Sequence, residues 1–201
     1  MATRTLCARI GCSFGGGGGG GFGYAEARAE MFGVEASCEV VGGFDFDPYA
    51  CAAFKYLLDV EETEADATTM TGADLRRIYG EEAPRILVGS APCKASSGLL
   101  GKKKAEEEKY VAMSLLLERN VDTILEAWPA EPPWILIFEN VPNITTRAAA
   151  MLKRVRRKLR AAGYVLQDGF HECRTTGDLA QNRKRWFMVA RLERRVPFFL
   201  Y

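Results

Sequence analysis

The chain has 201 residues, 48% of them apolar, and 27 basic against 26 acidic side chains, for a net charge of +1. That length supports one α/β domain with a real core, and the near-zero charge excludes a global basic field, so any nucleic-acid surface rests on local clusters. No window approaches the length of a membrane span, and the N-terminus lacks a charged-then-apolar signal pattern, which predicts a cytoplasmic protein with no membrane partner.

In chain order, Arg4 to Phe14 reads as a strand and runs into a glycine tract. The stretch Tyr24 to Gly33 (YAEARAEMFG) predicts a helix closed by its glycine. Ser37 to Phe46 is a second strand, and Pro48 opens a helix through Leu58, as proline does at a first turn. Ala67 to Leu75 reads as a weaker strand. Arg85 to Ala91 (RILVGSA) is a clear one, a continuous apolar run bounded by turn residues.

From Lys104 to Ala127 the spacing is helical, with Val111, Leu115, Leu116, Val121 and Leu125 on one side. Trp134 to Val141 is another buried strand. Thr146 to Gly163 is a helix whose basic run, Lys153 to Arg160, is solvated while Leu152, Val155 and Leu159 face inward. Tyr164 to His171 and Arg185 to Leu192 close the set as strands. Apolar strands alternating with helices imply a parallel sheet covered on both faces.

Six cysteines occur with no C-x-x-C pair, and His171 is the one histidine, so no metal site is expected. Most of these thiols read as small buried hydrophobes. Cys93 differs, because it follows Pro92 at the top of a strand and precedes a loop rich in Ser, Gly and Lys.

The tract from Phe14 to Gly23 (FGGGGGGGFG) lies between the first strand and the first helix. Glycines there let the backbone turn sharply and approach a ligand, and the first strand–helix corner of such a sheet is where nucleotide-like cofactors bind. The second strand ends in FDFD. Asp45 suits a ribose contact, Phe46 suits an adenine ring, and Asp47 is placed to cap the helix at Pro48. These residues leave two cofactors open, a nicotinamide dinucleotide and S-adenosylmethionine.

Three later stretches bear on that choice: APCKASS after the fourth strand, FENVPNI after the fifth and QNRKRWFMVA leading into the last. Together with the glycine tract, DFDPYA and GADLRRI, in this order, they resemble the DNA cytosine-5 methyltransferases over most of the chain. Phe14, Gly16, Gly18, Gly19 and Gly23 match that family's F-x-G-x-G-G-x-x-x-G pattern, and QNRKR matches Q-x-R-x-R.

The resemblance implies a Rossmann-like, S-adenosylmethionine-dependent methyltransferase sheet with helices on both faces, a single catalytic domain over residues 1–201. It implies Cys93 as the nucleophile on a flipped cytosine, Glu139 at ring nitrogen 3, and Arg185 at the carbonyl oxygen with Arg183 in support. It also implies that Phe14, Gly16, Gly18, Gly19, Asp45, Phe46, Asp74 and Pro92 line the cofactor, and that the loop from Lys94 to Lys104 closes over the base.

The match departs from the family pattern at Ala91 and Lys94, around the nucleophile, and at the end. No recognition domain follows VPFFLY, and the last two family motifs are missing. The expectation is therefore a truncated catalytic domain or one half of a split enzyme, acting on DNA with a second polypeptide supplying recognition. A role in restriction-modification fits the family. An RNA cytosine substrate, a non-catalytic family remnant and, last, a nicotinamide-dependent oxidoreductase are the other readings. The last leaves Cys93, Glu139 and QNRKR unexplained.

Overall fold

The first apolar run folds as β1 (Arg4–Ser13), exposed at its start and buried over its last four residues. It lies parallel to β3 (Val34–Asp45), with Ile10 opposite Val40 and Ser13 opposite Phe44. The structure is a computed structural model and describes residues 4–92, 108–177 and 180–196. Internal contacts divide the chain into two compact units, Met1–Val88 with Thr123–Trp134, and Gly89–Asp122 with Ile135–Tyr201.

In the first unit, the remaining elements are α1 (Gly19–Glu26), β2 (Arg28–Met31), α2 (Pro48–Leu58), β4 (Glu62–Glu64), α3 (Gly72–Tyr79) and β5 (Ile86–Gly89). The strand order is β2-β3-β1-β5, and β4 adds to the far end of β3 in parallel, pairing Gly43 with Glu62. A core cluster of Ile10, Cys12, Val40 and Phe54 joins β1, β3 and α2. Full burial of one such large side chain is worth about 1.5–3 kcal/mol. Tyr79 is buried too, and its hydroxyl donates to the Cys12 carbonyl at 2.9 Å.

The second unit contains most of α4 (Glu108–Ala127), then β6 (Ile135–Asn140), α5 (Ile144–Arg147), α6 (Ala149–Ala161), β7 (Tyr164–Glu172), α7 (Cys173–Gly177) and β8 (Lys184–Leu192). Its strands run in the order β6-β8-β7, with both pairs antiparallel. Met151, Leu152, Val155 and Leu159 form the buried stripe of α6, as the helical period predicts. The basic face of α6 is not merely solvated. Arg154 pairs with Glu118 of α4 at 2.6 Å, and Lys158 reaches Glu118 at 2.9 Å and Asp122 at 2.7 Å.

Several expectations are corrected. The helix expected over Tyr24 to Gly33 ends at Glu26, and Arg28–Met31 forms a strand antiparallel to β3. Phe32 and Gly33 make the hairpin turn, with left-handed φ of 52° and 73°. The strand expected over Ala67 to Leu75 is absent. Thr71 instead caps α3 through a capping box with Asp74. In α4 the buried positions among those described include Leu117, Val121 and Ile124, whereas Leu115 is exposed. The sheet is mixed and not wholly parallel.

Candidate active site

Ser13 ends β1, and the chain then turns through two left-handed glycines, Gly16 (φ 58°) and Gly18 (φ 83°), before α1 begins at Gly19. Phe14 is left-handed as well (φ 57°), a conformation that costs a non-glycine residue on the order of 1–3 kcal/mol. Its ring is held edge-on against Phe44 at 5.1 Å. Asp45 fastens this corner to the end of β3. One carboxylate oxygen accepts from the Gly16 N–H at 3.1 Å and the other from the Asp47 N–H at 3.0 Å. Asp47 caps α2 by accepting from the Tyr49 N–H, as its position before Pro48 predicts. Phe46 is 72% exposed beside these groups.

Glu62 lies beneath the same corner. It is 6% exposed, and among the described residues neither carboxylate oxygen has a hydrogen bond of full geometry, although the Gly15 N–H and the Cys51 thiol face it. A Cβ on Gly15 would meet its Oε1 at 2.2 Å and the Phe54 ring at 2.9 Å, and a Cβ on Gly43 would meet Oε1 at 3.0 Å. Burial, then the charge of Asp45, pushes the Glu62 carboxyl up to about 7. Buried acids without partners are costly, so this one marks a special position. A glycine cradle, an acid at the strand end and an orphaned buried carboxylate together fit a cofactor that carries a ribose and a positive charge. Gly15→Ala is expected to lower the melting temperature and weaken cofactor binding at least about tenfold, because overpacking a filled corner costs about 1–3 kcal/mol. Thermal denaturation and calorimetry check it, and wild-type values in both would show that Glu62 swings away freely.

Asp74 was expected at the cofactor. Its carboxylate accepts from the Thr71 N–H at 2.9 Å, from the Thr71 hydroxyl at 2.7 Å and from Arg77 at 3.0 Å. It therefore closes the cap of α3 while also lining a hollow of about 330 Å³ with Glu64, Asp66, Thr69 and Arg77.

The second unit carries the other expected groups. Glu139 and Asn140 are the last residues of β6, opposite Phe187 and Trp186 of β8. Arg185 lies two residues from Phe187, on the same face, because side chains alternate along a strand. Its Nε sits 2.7 Å from Glu139 Oε1, with the two side chains 19% and 22% exposed. The other oxygen of Glu139 accepts from the Ser90 hydroxyl at 2.7 Å. Asn140 is buried. Its amide donates to the Ala91 carbonyl at 3.0 Å, and its own oxygen accepts from the Val141 N–H.

Glu139 and Arg185 are thus brought together, beside the segment that leads through Ala91 to Pro92. Arg183 is exposed just before β8, and its carbonyl accepts from the Cys173 N–H at 3.1 Å. Cys93 and the loop from Lys94 to Lys104 lie outside the described residues. Ser90 and Asn140 escaped the reading of the sequence, although Asn140 stands directly beside Glu139. Glu62 escaped it as well, because EETEAD reads as a solvated acidic run. Among the described residues, no group of three or more His, Cys, Asp or Glu could hold a metal ion, and no helix is long and apolar enough to cross a membrane.

The family model described as C-5 cytosine-specific DNA methylase matches residues 14–198. Among curated proteins, none matches the chain in sequence. Among solved structures, it is similar to the S. pombe Dnmt2 methyltransferase, with TM-score 0.70 and 18% identity over 98% of this chain and 52% of that one. It is also similar to a putative DNA modification methyltransferase encoded within a prophage of E. coli, with TM-score 0.73 and 14% identity over 96% of this chain and 49% of that one. The Entamoeba histolytica methyltransferase EhMeth matches with TM-score 0.69 and 18% identity, over 93% and 53%. These likenesses establish a shared α/β fold, and the chain spans about half the length of each.

Proposed function

The chain belongs to the C-5 cytosine-specific DNA methylase family, and from that premise we propose that it methylates carbon-5 of cytosine in DNA through a covalent bond from Cys93. The family takes its methyl group from S-adenosylmethionine. When bound, that cofactor supplies an electrophilic methyl on a sulfonium sulfur. The observation that carries the reading is the pairing of Glu139 with Arg185 beside the Ser90–Pro92 segment, where Asn140 holds the Ala91 carbonyl.

In this reading the Cys93 thiolate attacks carbon-6 of a cytosine swung out of the stack, forming a sulfur–carbon bond. The displaced electron pair moves into the ring. Glu139 holds ring nitrogen 3, and Arg185, supported by Arg183, donates to the carbonyl oxygen where negative charge builds. Carbon-5 is then nucleophilic enough to accept a methyl group. Loss of the carbon-5 proton to a base re-forms the ring double bond and expels the thiolate.

Cys12 and Cys51, the buried cysteines of the first unit, make poor alternatives. Burial pushes the Cys12 thiol up to about 12 and the Cys51 thiol up to about 11, with Glu62 adding to both. Asp45 and Phe46 hold the ribose and adenine, with Phe14 against the adenine. Gly16, Gly18 and Gly19 bring the backbone close, Asp74 lies in the adjoining hollow, and Pro92 adds the edge next to the nucleophile. In this reading a second polypeptide supplies sequence recognition.

Transfer of a radiolabelled methyl group to duplex DNA and to RNA, each digested to nucleosides, tests the substrate. Label is expected in 5-methylcytosine of the DNA. Label confined to the RNA digest would replace DNA by RNA as the substrate.

A further inference from the structure

A carboxylate as buried as Glu62 normally pairs with a cation or a set of donors. This one meets no cation among the described residues, and its nearest donors, the Gly15 N–H and the Cys51 thiol, fall short of full hydrogen-bond geometry. The titratable groups facing it are acids and thiols, with one phenol: Asp45 of β3, Cys12 of β1, Cys51 of α2 and Tyr79 of α3. Asp45 itself is fastened to the Gly16 and Asp47 N–H groups, and the Cys51 thiol donates to the Asp45 carbonyl at 3.7 Å. The carboxylate meets the corner where both Gly15 and Gly43 leave no room for a side chain. A carboxyl buried under the proposed cofactor turn, with no positive charge among the described residues to match it, fits a ligand that brings the positive charge itself.

We propose that Glu62 is a specificity-determining residue that acts across Gly15 on the charge of the methyl donor, favouring the positively charged donor over its neutral demethylated product. The inference rests on the assignment of the Phe14–Gly19 corner to the cofactor. Glu62 would act through its field and not by contact, in a dry interior where charge interactions are strong.

Linkage fixes the sign. The carboxyl of the free protein titrates near 7, so below that it is mostly neutral and insensitive to the ligand's charge. Binding the cationic donor favours the ionised form and releases a proton. By reciprocity, raising the pH strengthens donor binding by the same factor. The neutral thioether product draws no such benefit. The sulfonium charge also makes the amino group of the donor more acidic than that of the product, so the share of the pH dependence that belongs to Glu62 is the part that Glu62→Gln removes.

The experiment is calorimetric binding of S-adenosylmethionine and S-adenosylhomocysteine to the purified chain, in buffers of different ionisation enthalpy. The donor-to-product affinity ratio is expected to rise about fivefold or more between about pH 6 and about pH 8.5. Near neutrality, the donor alone should show the buffer-dependent enthalpy of proton release. Glu62→Gln should remove most of that rise and the proton release near neutrality. A flat ratio in the wild type, or an equal rise in Glu62→Gln, would overturn the proposal. If that variant does not fold, proton release by the wild type on binding the donor but not the product decides alone. Binding of neither ligand at any pH would overturn the cofactor assignment of the corner, and this inference with it.

Discussion

Cys93→Ala is expected to abolish methyl transfer, with a loss on the order of 1,000-fold or more, and to leave the fold and cofactor affinity as they are in the wild type. A cytosine ring is a weak electrophile, so without a thiolate at carbon-6 nothing makes carbon-5 nucleophilic. The segment before Cys93 has its own anchors. Asn140 takes the Ala91 carbonyl, and Ser90 binds Glu139. Neither contact involves the thiol, so removing it does not release the Ser90–Pro92 segment. Apart from Pro92, the groups proposed to hold the cofactor lie elsewhere in the chain, in the turn between β1 and α1, at the end of β3 and in α3. Single-turnover transfer measured with saturating donor and DNA, alongside calorimetric donor affinity, checks both halves. Methylation near the wild-type rate by Cys93→Ala would remove the covalent route. Loss of donor binding together with activity would place the residue in the cofactor corner.

What the sequence made legible follows from how local each signal is. Pro48 and Asp47 announce the start of α2 within two residues. The apolar runs before Gly89 and before Glu139 can only be buried strands, and the glycine corner needs nothing beyond its own φ angles. The failures are non-local. Arg28–Met31 is rich in helix formers, yet pairing with Val34–Ser37 makes it a strand, a tertiary override of propensity. The Thr71–Asp74 box was overlooked because the threonines and Met70 look strand-like and the third position holds Asp in place of Glu. The antiparallel direction of β8 cannot be read from an apolar run, since period and burial are the same for either direction. Glu62 needed the register of β4 on β3 before its carboxylate could be placed under Gly15.

Glu139 and Arg185 show how the same geometry sets a chemical role. Their positions near the ends of two antiparallel strands give a half-buried ion pair at 2.7 Å, with Ser90 holding the second oxygen. Such a pair orients the carboxylate better than either strand would alone, because each of its oxygens has one partner. It also means that the carboxylate cannot be removed without leaving a guanidinium unmatched in a partly dry site. Glu139→Gln keeps the shape and the Ser90 contact but loses the charge. The chemical step is expected to slow by a factor on the order of 100 or more, as loss of an acid–base group does. Donor affinity should hardly change, because all the groups proposed to hold the cofactor except Pro92 lie in a different part of the chain. Arg185→Lys keeps a positive charge but not the planar fork that reaches Glu139 through Nε, so it should slow the same step. Rapid-quench single turnovers separate chemistry from binding, and thermal denaturation shows whether the unmatched guanidinium has loosened β6 and β8. A large loss of donor affinity with wild-type single-turnover chemistry would move Glu139 from the base to the cofactor.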